Sequence, residues 1–448
     1  MTPNSQDRSQ EDPAGPRQSC DTGGSRRLWS DPWLWIIVAL ALGLGLVSSS
    51  RFFHEATPRG QTDDLHYHQL AKALLENGQF EGTYRAPGYP GFVALVYAVF
   101  GPHPFAVYAA QSLLFAASVA MAAALFGWVT ARRAVALMVA AMIACYPFFY
   151  RDVVPSLLTE GLTLFLVVLF LLGLARTTAK PVWWKSMALG LVFAAATLTK
   201  AVLLPFAGVA AICLLALTRE RRCGLRQALV YLATVAVCIA PWTWRNWHVT
   251  GAFLPISTGG GFNFWFGNCP GNFDSRLSAS NRSKTWPYMP LDLETAIQGM
   301  TEVQRDSYLK RLTLDEMRRN PGLALKNFCH KFSVLWLGNV GADPSTYAAG
   351  TRPLLTLGRF TVPKKSLLNC PIFALGLMGI WMLTPSQRRR ALPVLLLLGW
   401  FTFIYVIIIA EFRYVTPVFP CLLGFAAIPM VQLVSAFRRR WATKCLSC

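Results

Sequence analysis

The sequence has few charged residues for its length. Asp, Glu, Lys and Arg make up 14% of its 448 residues, whereas a soluble globular protein carries about 25%. Hydrophobic residues make up 54% and come in blocks, several of them close to the ~20 residues that cross a bilayer as a helix. The shortage of charge therefore excludes a soluble globular protein and predicts a polytopic membrane protein.

Acidic residues are the scarcer charged group, with 22 Asp and Glu against 42 Lys and Arg and a net charge of +20. Such an excess can indicate binding to nucleic acid. The basic residues here, however, form short clusters between or beside apolar blocks, which is the pattern of cytoplasmic loops in membrane proteins. We therefore expect membrane lipid, and no nucleic acid, as a partner. The clusters are Arg26-Arg27, Arg132-Arg133, Arg219 to Arg222, Arg388 to Arg390 and Arg438 to Arg440.

Ten apolar blocks predict a bundle of about ten transmembrane helices, an all-α fold. An even number of crossings places both termini in the cytoplasm, beside basic clusters, in a multi-pass protein of the plasma (inner) membrane. Residues 1–28 are polar and predict a disordered cytoplasmic tail, and residues 29–448 form one transmembrane domain with outer loops 51–103 and 244–366. The predicted spans are 33–50, 104–129, 134–150, 157–175, 184–199, 201–217, 227–243, 367–384, 391–410 and 414–435.

Both outer loops contain predicted helices. In the first, a helix begins at Asp63 and ends at Asn77-Gly78. The following apolar stretch, 89–100, is too short to span a bilayer, so we expect a helix in the interface with Tyr89 and Tyr97 at headgroup level. In the second loop, residues 257–274 predict a Gly-rich loop and residues 294–319 predict a helix that ends at Pro321. Cys269 and Cys329, also in this loop, could pair.

Two adjacent carboxylates, Asp63 and Asp64, follow the first span on the predicted outer face. Asp64 and Tyr67 are three residues apart, and Asp64 and His68 four, so their side chains share one face of a helix. A carboxylate shielded from water beside a hydroxyl can act as a general base. The alternative is an acidic helix N-terminus that favours the helix dipole.

Five more ionisable residues lie in or beside the spans, all at predicted outer ends. Charges in a membrane are costly and usually functional, and Lys and Arg at this face suit a phosphate or diphosphate group. The alternatives are snorkelling side chains and structural ion pairs, Glu411 with Arg413 or Glu160 with Lys200. The five residues are Glu160, Lys200, Arg245, Glu411 and Arg413.

A glycine run, Gly259 to Gly261, opens an aromatic stretch that includes Asn263. Glycines can let backbone amides approach a phosphate or a sugar. The run lacks G-x-x-x-x-G-K-[ST], so a nucleotide-binding loop is not expected. The alternative is an interfacial loop.

Six short motifs, spread from residue 64 to 417, resemble those of the GT-C superfamily of membrane glycosyltransferases. The nearest subgroup resembles bacterial relatives of the dolichyl-phosphate-mannose protein mannosyltransferases and the aminoarabinose lipid A transferase. The motifs are Asp64-x-x-Tyr67-x-x-Leu70-Ala71, Pro87-Gly88-Tyr89-Pro90, Leu158-Thr159-Glu160, Leu198-Thr199-Lys200, Pro241-Trp-x-x-Arg245-Asn246 with Pro255-Ile-Ser-Thr-x-Gly-Gly-x-Asn263, and Glu411-x-Arg413-Tyr414 with Pro417.

The resemblance implies an inverting transfer of a sugar from a polyprenyl-phosphate carrier to a lipid, glycan or protein acceptor at the outer face. It implies that Asp64, with Asp63 as the second candidate, is the general base, and that Glu160 positions the acceptor or holds a cation. Further residues are implied to bind substrate: Tyr67, Arg85, Tyr89, Lys200, Arg245, Asn246, Asn263, Glu411, Arg413 and Tyr414.

The chain also departs from these relatives. Arg85-Ala86-Pro87-Gly88 stands where relatives of the aminoarabinose enzyme often have Lys-Pro-Pro. Some branches use a divalent cation, but no Asp-x-Asp occurs here, and we expect neither a metal nor another cofactor. Two other classes fit the composition: a transporter or flippase for a lipid-linked substrate, and a non-catalytic envelope factor.

Overall fold

The computed structural model describes residues 28–58, 63–268, 289–338, 355–357, 360–362 and 366–445, with side chains as far as residue 439. In these ranges the chain is almost entirely helical, apart from one antiparallel hairpin in which Leu355–Leu357 (β1) pairs with Phe360–Val362 (β2). The helices up to the second outer segment are α1 Pro32–Ser50, α2 Asp63–Asn77, α3 Gly88–Phe100, α4 Pro104–Thr130, α5 Arg133–Ala144, α6 Thr159–Ala179, α7 Trp183–Thr199, α8 Phe206–Leu217 and α9 Arg221–Thr250. The remaining helices are α10 Gly259–Asn268, α11 Leu291–Ile297, α12 Glu302–Arg319, α13 Pro321–Trp336, α14 Ser366–Trp381, α15 Pro385–Ile407 and α16 Phe419–Cys445.

Each of the ten predicted spans overlaps a helix: α1, α4 to α9, and α14 to α16. Two predicted spans are too long, because α5 ends at Ala144 and not at 150, and α8 begins at Phe206 and not at 201. Six of these (α1, α4, α6, α9, α15 and α16) are long and apolar enough to cross a membrane, and α5, α8 and α14 are shorter apolar helices. The prediction of an all-α polytopic membrane fold is thereby confirmed. Which side the termini face stays a prediction.

The predicted break between the fifth and sixth spans falls at Lys200. Helix α7 ends at Thr199, a 3-10 turn follows at Ala201–Leu203, and Pro205 precedes α8. Proline has no amide hydrogen, so it fits the start of a helix better than the interior. The break leaves Lys200 at the end of α7, on the side of the predicted outer loops.

The first outer loop folds partly as expected. Helix α2 forms, and Gly78 (φ +64°) ends it in the left-handed conformation that glycine adopts without strain. Helix α3 also forms, but Tyr89 and Tyr97 are buried against the bundle. Their place at headgroup level stays a prediction, because burial against other helices does not fix their depth in a membrane. The exposed large hydrophobic side chains of this helix are Leu95, Val99 and Phe100.

The second outer segment contains more helix than the sequence indicated. The predicted helix 294–319 is divided into α11 and α12, and a capping box between Thr301 and Gln304 begins α12. Pro321 starts a further helix, α13, at the first position, where proline fits. Of the predicted cysteine pair, Cys329 is free and exposed, and Cys269 lies outside the described residues.

Candidate active site

Asp63 lies between two arginines. It is the first residue of α2, where a carboxylate is favoured by the helix dipole. Its Oδ1 accepts from Nη2 of Arg85 (2.5 Å) and its Oδ2 from Nη2 of Arg413 (3.1 Å). Burial raises the pKa of this carboxyl, but the two guanidinium groups outweigh burial and hold the pKa of Asp63 below its usual value. Asp63 is therefore ionised, with part of its side chain still open to solvent.

Asp64 contacts a different part of the chain from Asp63. It is only 7% exposed, and its Oδ1 accepts from the backbone N–H of Leu157 at 2.9 Å. Burial raises the pKa of Asp64 above its usual value. This carboxyl fastens the start of α2 to the segment that precedes α6, and it does not share the arginines of Asp63.

Glu160 and Lys200 form a buried ion pair. Glu160 lies in the first turn of α6, and its Oε1 is 2.8 Å from Nζ of Lys200; the two residues are 3% and 8% exposed. The ammonium also lies over the rings of Tyr414 (5.3 Å) and Tyr405 (5.9 Å), which stack on each other. The predicted structural pair is confirmed as a contact, and it fixes Lys200 beside Tyr414.

Glu411 and Arg413 also pair as predicted. Nε of Arg413 is 2.6 Å from Oε2 of Glu411, and its guanidinium lies 5.2 Å from the Tyr414 ring. Arg413 thus contacts Asp63, Glu411 and Tyr414, and the same tyrosine ring also receives Lys200. We call Asp63, Arg85, Glu411 and Arg413 the Asp63 cluster.

Aromatic rings surround Arg85. Its guanidinium lies over Tyr67 (5.0 Å) and Tyr84 (4.9 Å), and burial raises the pKa of Tyr67 to about 12. Tyr89 meets Tyr67 edge to face at 4.9 Å and donates from its hydroxyl to Gln111 (3.1 Å). Because Tyr89 is fully buried, it supports Tyr67 from within the bundle. Tyr84 was not among the predicted site residues, although its place next to Arg85 in the sequence could have suggested it.

Gly88 makes a close backbone approach between the start of α3 and the end of α7. A Cβ there would lie 2.7 Å from Oγ1 of Thr199 and 2.8 Å from the carbonyl carbon of Leu198. Only glycine allows the start of α3 to come this near the end of α7. The approach brings the Arg85 loop next to Lys200.

Arg245 and Asn246 hold backbone segments. Arg245 donates to the carbonyls of Gly82 (2.7 Å) and Phe80, and lies over the Trp242 ring. Asn246 is fully buried and donates to the carbonyls of residues 254 and 256. These contacts stabilise loops beside the Asp63 cluster, and Arg245 fixes the loop that leads to Arg85.

The glycine run forms the first turn of α10, so the prediction of a loop is wrong for residues 259–268. Residues 269–274 of the predicted loop lie outside the described residues. The Gly261 N–H donates to the carboxylate of Asp306 on α12, and a Cβ at position 261 would overlap the Asp306 backbone. The glycines therefore serve close helix packing, and the amide at 261 is already bonded to protein. Asn263 lies half-buried on the same helix.

The Asp63 cluster combines two cations suited to phosphate with a carboxylate that is ionised and partly accessible. Among the described residues, no group of three or more His, Cys, Asp and Glu is placed to hold a metal ion. That the protein works without a metal stays a prediction. Two residues absent from the sequence-based set, Glu302 and Lys331, contact the chain segments that lead to the two arginines.

No family model matches this sequence, and no curated protein matches it. The chain is similar to the crystal structure of the Archaeoglobus fulgidus oligosaccharyltransferase in the apo form, with a TM-score of 0.57 and 14% identity over 95% of this chain and 52% of that one. The same enzyme tethered to an acceptor peptide containing the NVT sequon gives a TM-score of 0.51 and 12% identity, over 94% and 51%. Its complex with Zn and sulfate gives 0.51 and 12%, over 92% and 50%.

At these identities the likeness shows a shared fold. The chain spans about half the length of the archaeal protein.

Proposed function

We propose that this protein is a membrane glycosyltransferase of the GT-C type, which moves a sugar from a polyprenyl-phosphate carrier to an acceptor at the outer face of the membrane. The observation that carries the proposal is the ionised Asp63 held between Arg85 and Arg413. The fold shared with an archaeal oligosaccharyltransferase supports it. The acceptor class, whether lipid, glycan or protein, is left to the assay.

The chemistry is one displacement with inversion. The acceptor oxygen attacks the anomeric carbon and its proton passes to a carboxylate, while the bond from the anomeric carbon to the phosphate oxygen breaks. That oxygen leaves with the electron pair, so the lipid phosphate gains negative charge. Arg85 and Arg413 are the cations placed to stabilise this charge, because a guanidinium matches phosphate geometry.

We propose Asp63 as the base and Asp64 as a structural residue, the reverse of the order suggested by the sequence. Asp63 keeps 28% of its side chain exposed beside both arginines, so an acceptor hydroxyl can reach it. Asp64 is only 7% exposed, and its Oδ1 accepts from the Leu157 amide, so an acceptor hydroxyl has less access to it than to Asp63. A base must be within hydrogen-bond reach of the proton that it accepts, which favours Asp63.

The test compares Asp63→Asn and Asp64→Asn in purified full-length protein in lipid, with Asp315→Asn on the exposed face of α12 as the control. Release of polyprenyl phosphate is measured with a panel of radiolabelled polyprenyl-phosphate sugars. We expect Asp63→Asn to lower turnover by about 10²- to 10⁴-fold, the contribution of general-base catalysis. We expect Asp64→Asn to cost less than about tenfold, because an amide oxygen can still accept from Leu157.

The pH profile provides a second discrimination. A base works only when deprotonated, so activity falls as pH drops through its pKa. The arginines lower the pKa of Asp63 and burial raises that of Asp64. Activity that persists to about pH 4, the usual pKa of Asp, supports Asp63 as the base. A fall in activity well above that pH, together with an inactive Asp64→Asn variant, would assign the base to Asp64. If folded wild-type protein turns over no donor with any acceptor, the proposal fails and a flux assay for a transporter is the next step.

A further inference from the structure

We propose that the outer helices α10, α12 and α13 form a clamp that sets the separation of Arg85 and Arg413, with Glu302 and Lys331 as its two positioning residues. The consequence for catalysis rests on the proposed function, but the clamp itself rests on geometry alone. Its two arms reach the two chain segments that carry the arginines of the Asp63 cluster.

The first arm is Glu302, in the first turn of α12. Its Oε2 accepts from the backbone N–H of Thr83 (2.7 Å) and from the Thr83 hydroxyl (2.5 Å). Thr83 is fully buried and stands two residues before Arg85. A charged acceptor with two donors makes a strong contact, so Glu302 fixes the backbone just ahead of the arginine.

The loop around Thr83 is shaped for this contact. Gly82 has φ +68°, and a Cβ there would lie 2.8 Å from Oε1 of Glu302. The Thr83 carbonyl accepts from the N–H of Thr258, at the start of α10 (2.9 Å), and Arg245 holds the Gly82 carbonyl. The loop is thus held by α12 on one side and by the ends of α9 and α10 on the other.

The second arm is Lys331, on α13, which is only 2% exposed. Its Nζ donates to Oδ1 of Asn268 (2.7 Å) and to the carbonyls of Ile407 (3.0 Å) and Ile408 (3.3 Å). Asn268, the last residue of α10, donates from its own amide to the same two carbonyls. A lysine Nζ can donate to the final carbonyls of a helix, which have no partner within the helix, and this one fixes the end of α15 shortly before Arg413.

The two arms are connected through the outer helices. Helices α10 and α12 meet at the Gly261–Asp306 contact, where there is no room for a side chain. Helices α12 and α13 are joined by the single residue Asn320. A displacement at one arm is therefore transmitted toward the other, and α10 takes part in both.

The clamp matters because both arginines bind one carboxylate. Arg85 meets Oδ1 of Asp63 and Arg413 meets Oδ2, so their separation is matched to a group about the size of a carboxylate or a phosphate. If the segment before Arg85 or the segment before Arg413 moves, that arginine moves away from the phosphate site. A leaving phosphate would then be bound by one cation instead of two.

Hydrogen–deuterium exchange of the full-length protein tests each arm without using activity. The variants are Glu302→Ala and Lys331→Met, with Glu302→Gln and Lys331→Gln as conservative versions and Asp315→Asn as the control. We expect Glu302→Ala to raise exchange at the Thr83 amide by about tenfold, the size of one lost hydrogen bond to a charged group. Lys331→Met should raise exchange in residues 408–415. The glutamine variants should retain most of the protection, and the control should change neither segment.

Turnover tests the consequence for catalysis. If the clamp positions the arginines, Glu302→Ala and Lys331→Met should each lower kcat for the polyprenyl-phosphate donor by about tenfold, and the glutamine variants should recover most of it. Unchanged exchange in folded Glu302→Ala and Lys331→Met would overturn the clamp, whatever the activity. Changed exchange with unchanged kcat would overturn its catalytic consequence. A wild type with no turnover would refute the proposed function, and the exchange data would still decide on the clamp.

Discussion

Lys331 gives a stability prediction whose sign and size follow from the structure. Burial lowers the pKa of this lysine from 10.5 to about 7. Burial also lowers the pKa of its neighbour His330 below the usual value, so the histidine stays neutral at alkaline pH. The perturbation is Lys331→Met, which is one atom shorter than lysine and removes the titrating group.

Stability should rise with pH in the alkaline range. Between pH 7 and 10.5 the unfolded chain binds the proton of Lys331 more tightly than the folded chain, so raising the pH favours the folded state. Each unit of pKa difference corresponds to about 1.4 kcal/mol. From about pH 7.5 to 9.5 the wild type should therefore gain up to roughly 3 kcal/mol relative to Lys331→Met.

The assay is thermal unfolding of the purified protein in detergent across that pH range, compared between wild type and Lys331→Met. Lys326→Met, at an exposed position of the same helix, serves as the control. The expected result is a difference in Tm that changes by several degrees in favour of the wild type as pH rises, with no such trend for the control. A difference in Tm that stays constant from about pH 7.5 to 9.5 would refute the reasoning.

Two further predictions concern the buried ion pair and the topology. Removing one partner of a buried pair leaves an uncompensated charge, so Glu160→Gln and Lys200→Met should each destabilise the protein by about 3–5 kcal/mol. The double variant should lose clearly less stability than the sum of the two single losses. Additive losses in thermal unfolding would show that the pair is not coupled. Cys329 is exposed and lies in the second predicted outer loop. A membrane-impermeant maleimide should therefore label a variant with this single cysteine in intact cells but not a variant with only Cys223. The reverse labelling would invert the predicted orientation.

Local sequence patterns predicted much of the fold. Each of the ten apolar blocks overlaps a helix, and the boundary at Gly78 is correct because a helix end depends on a few adjacent residues. Patterns failed where tertiary contacts decide. The glycines before Asn263 form a helix because Asp306, distant in sequence, accepts from the first turn. Tyr89 is fully buried, which the sequence could not show because α3 is apolar on every side.

At the candidate site, too, the sequence predicted local features but not contacts between distant residues. The sequence indicated the ionisable residues and two of their pairings, Glu160 with Lys200 and Glu411 with Arg413. It could not show that Arg413 also meets Asp63, because that contact joins residues 350 positions apart. Glu302 went unnoticed for a similar reason: in sequence it is an ordinary acidic residue in the first turn of a helix, and only the fold brings Thr83 to it.

The absence of a side chain at Gly88 also limits how this chain can change. The start of α3 rests directly on the backbone of Leu198 and Thr199, so even an alanine at position 88 requires the end of α7 to retreat. Such a retreat would carry Lys200 away from Glu160. A single added methyl group at a position without charge can therefore separate a buried ion pair, and the two short stretches around Gly88 and Lys200 are constrained to vary together.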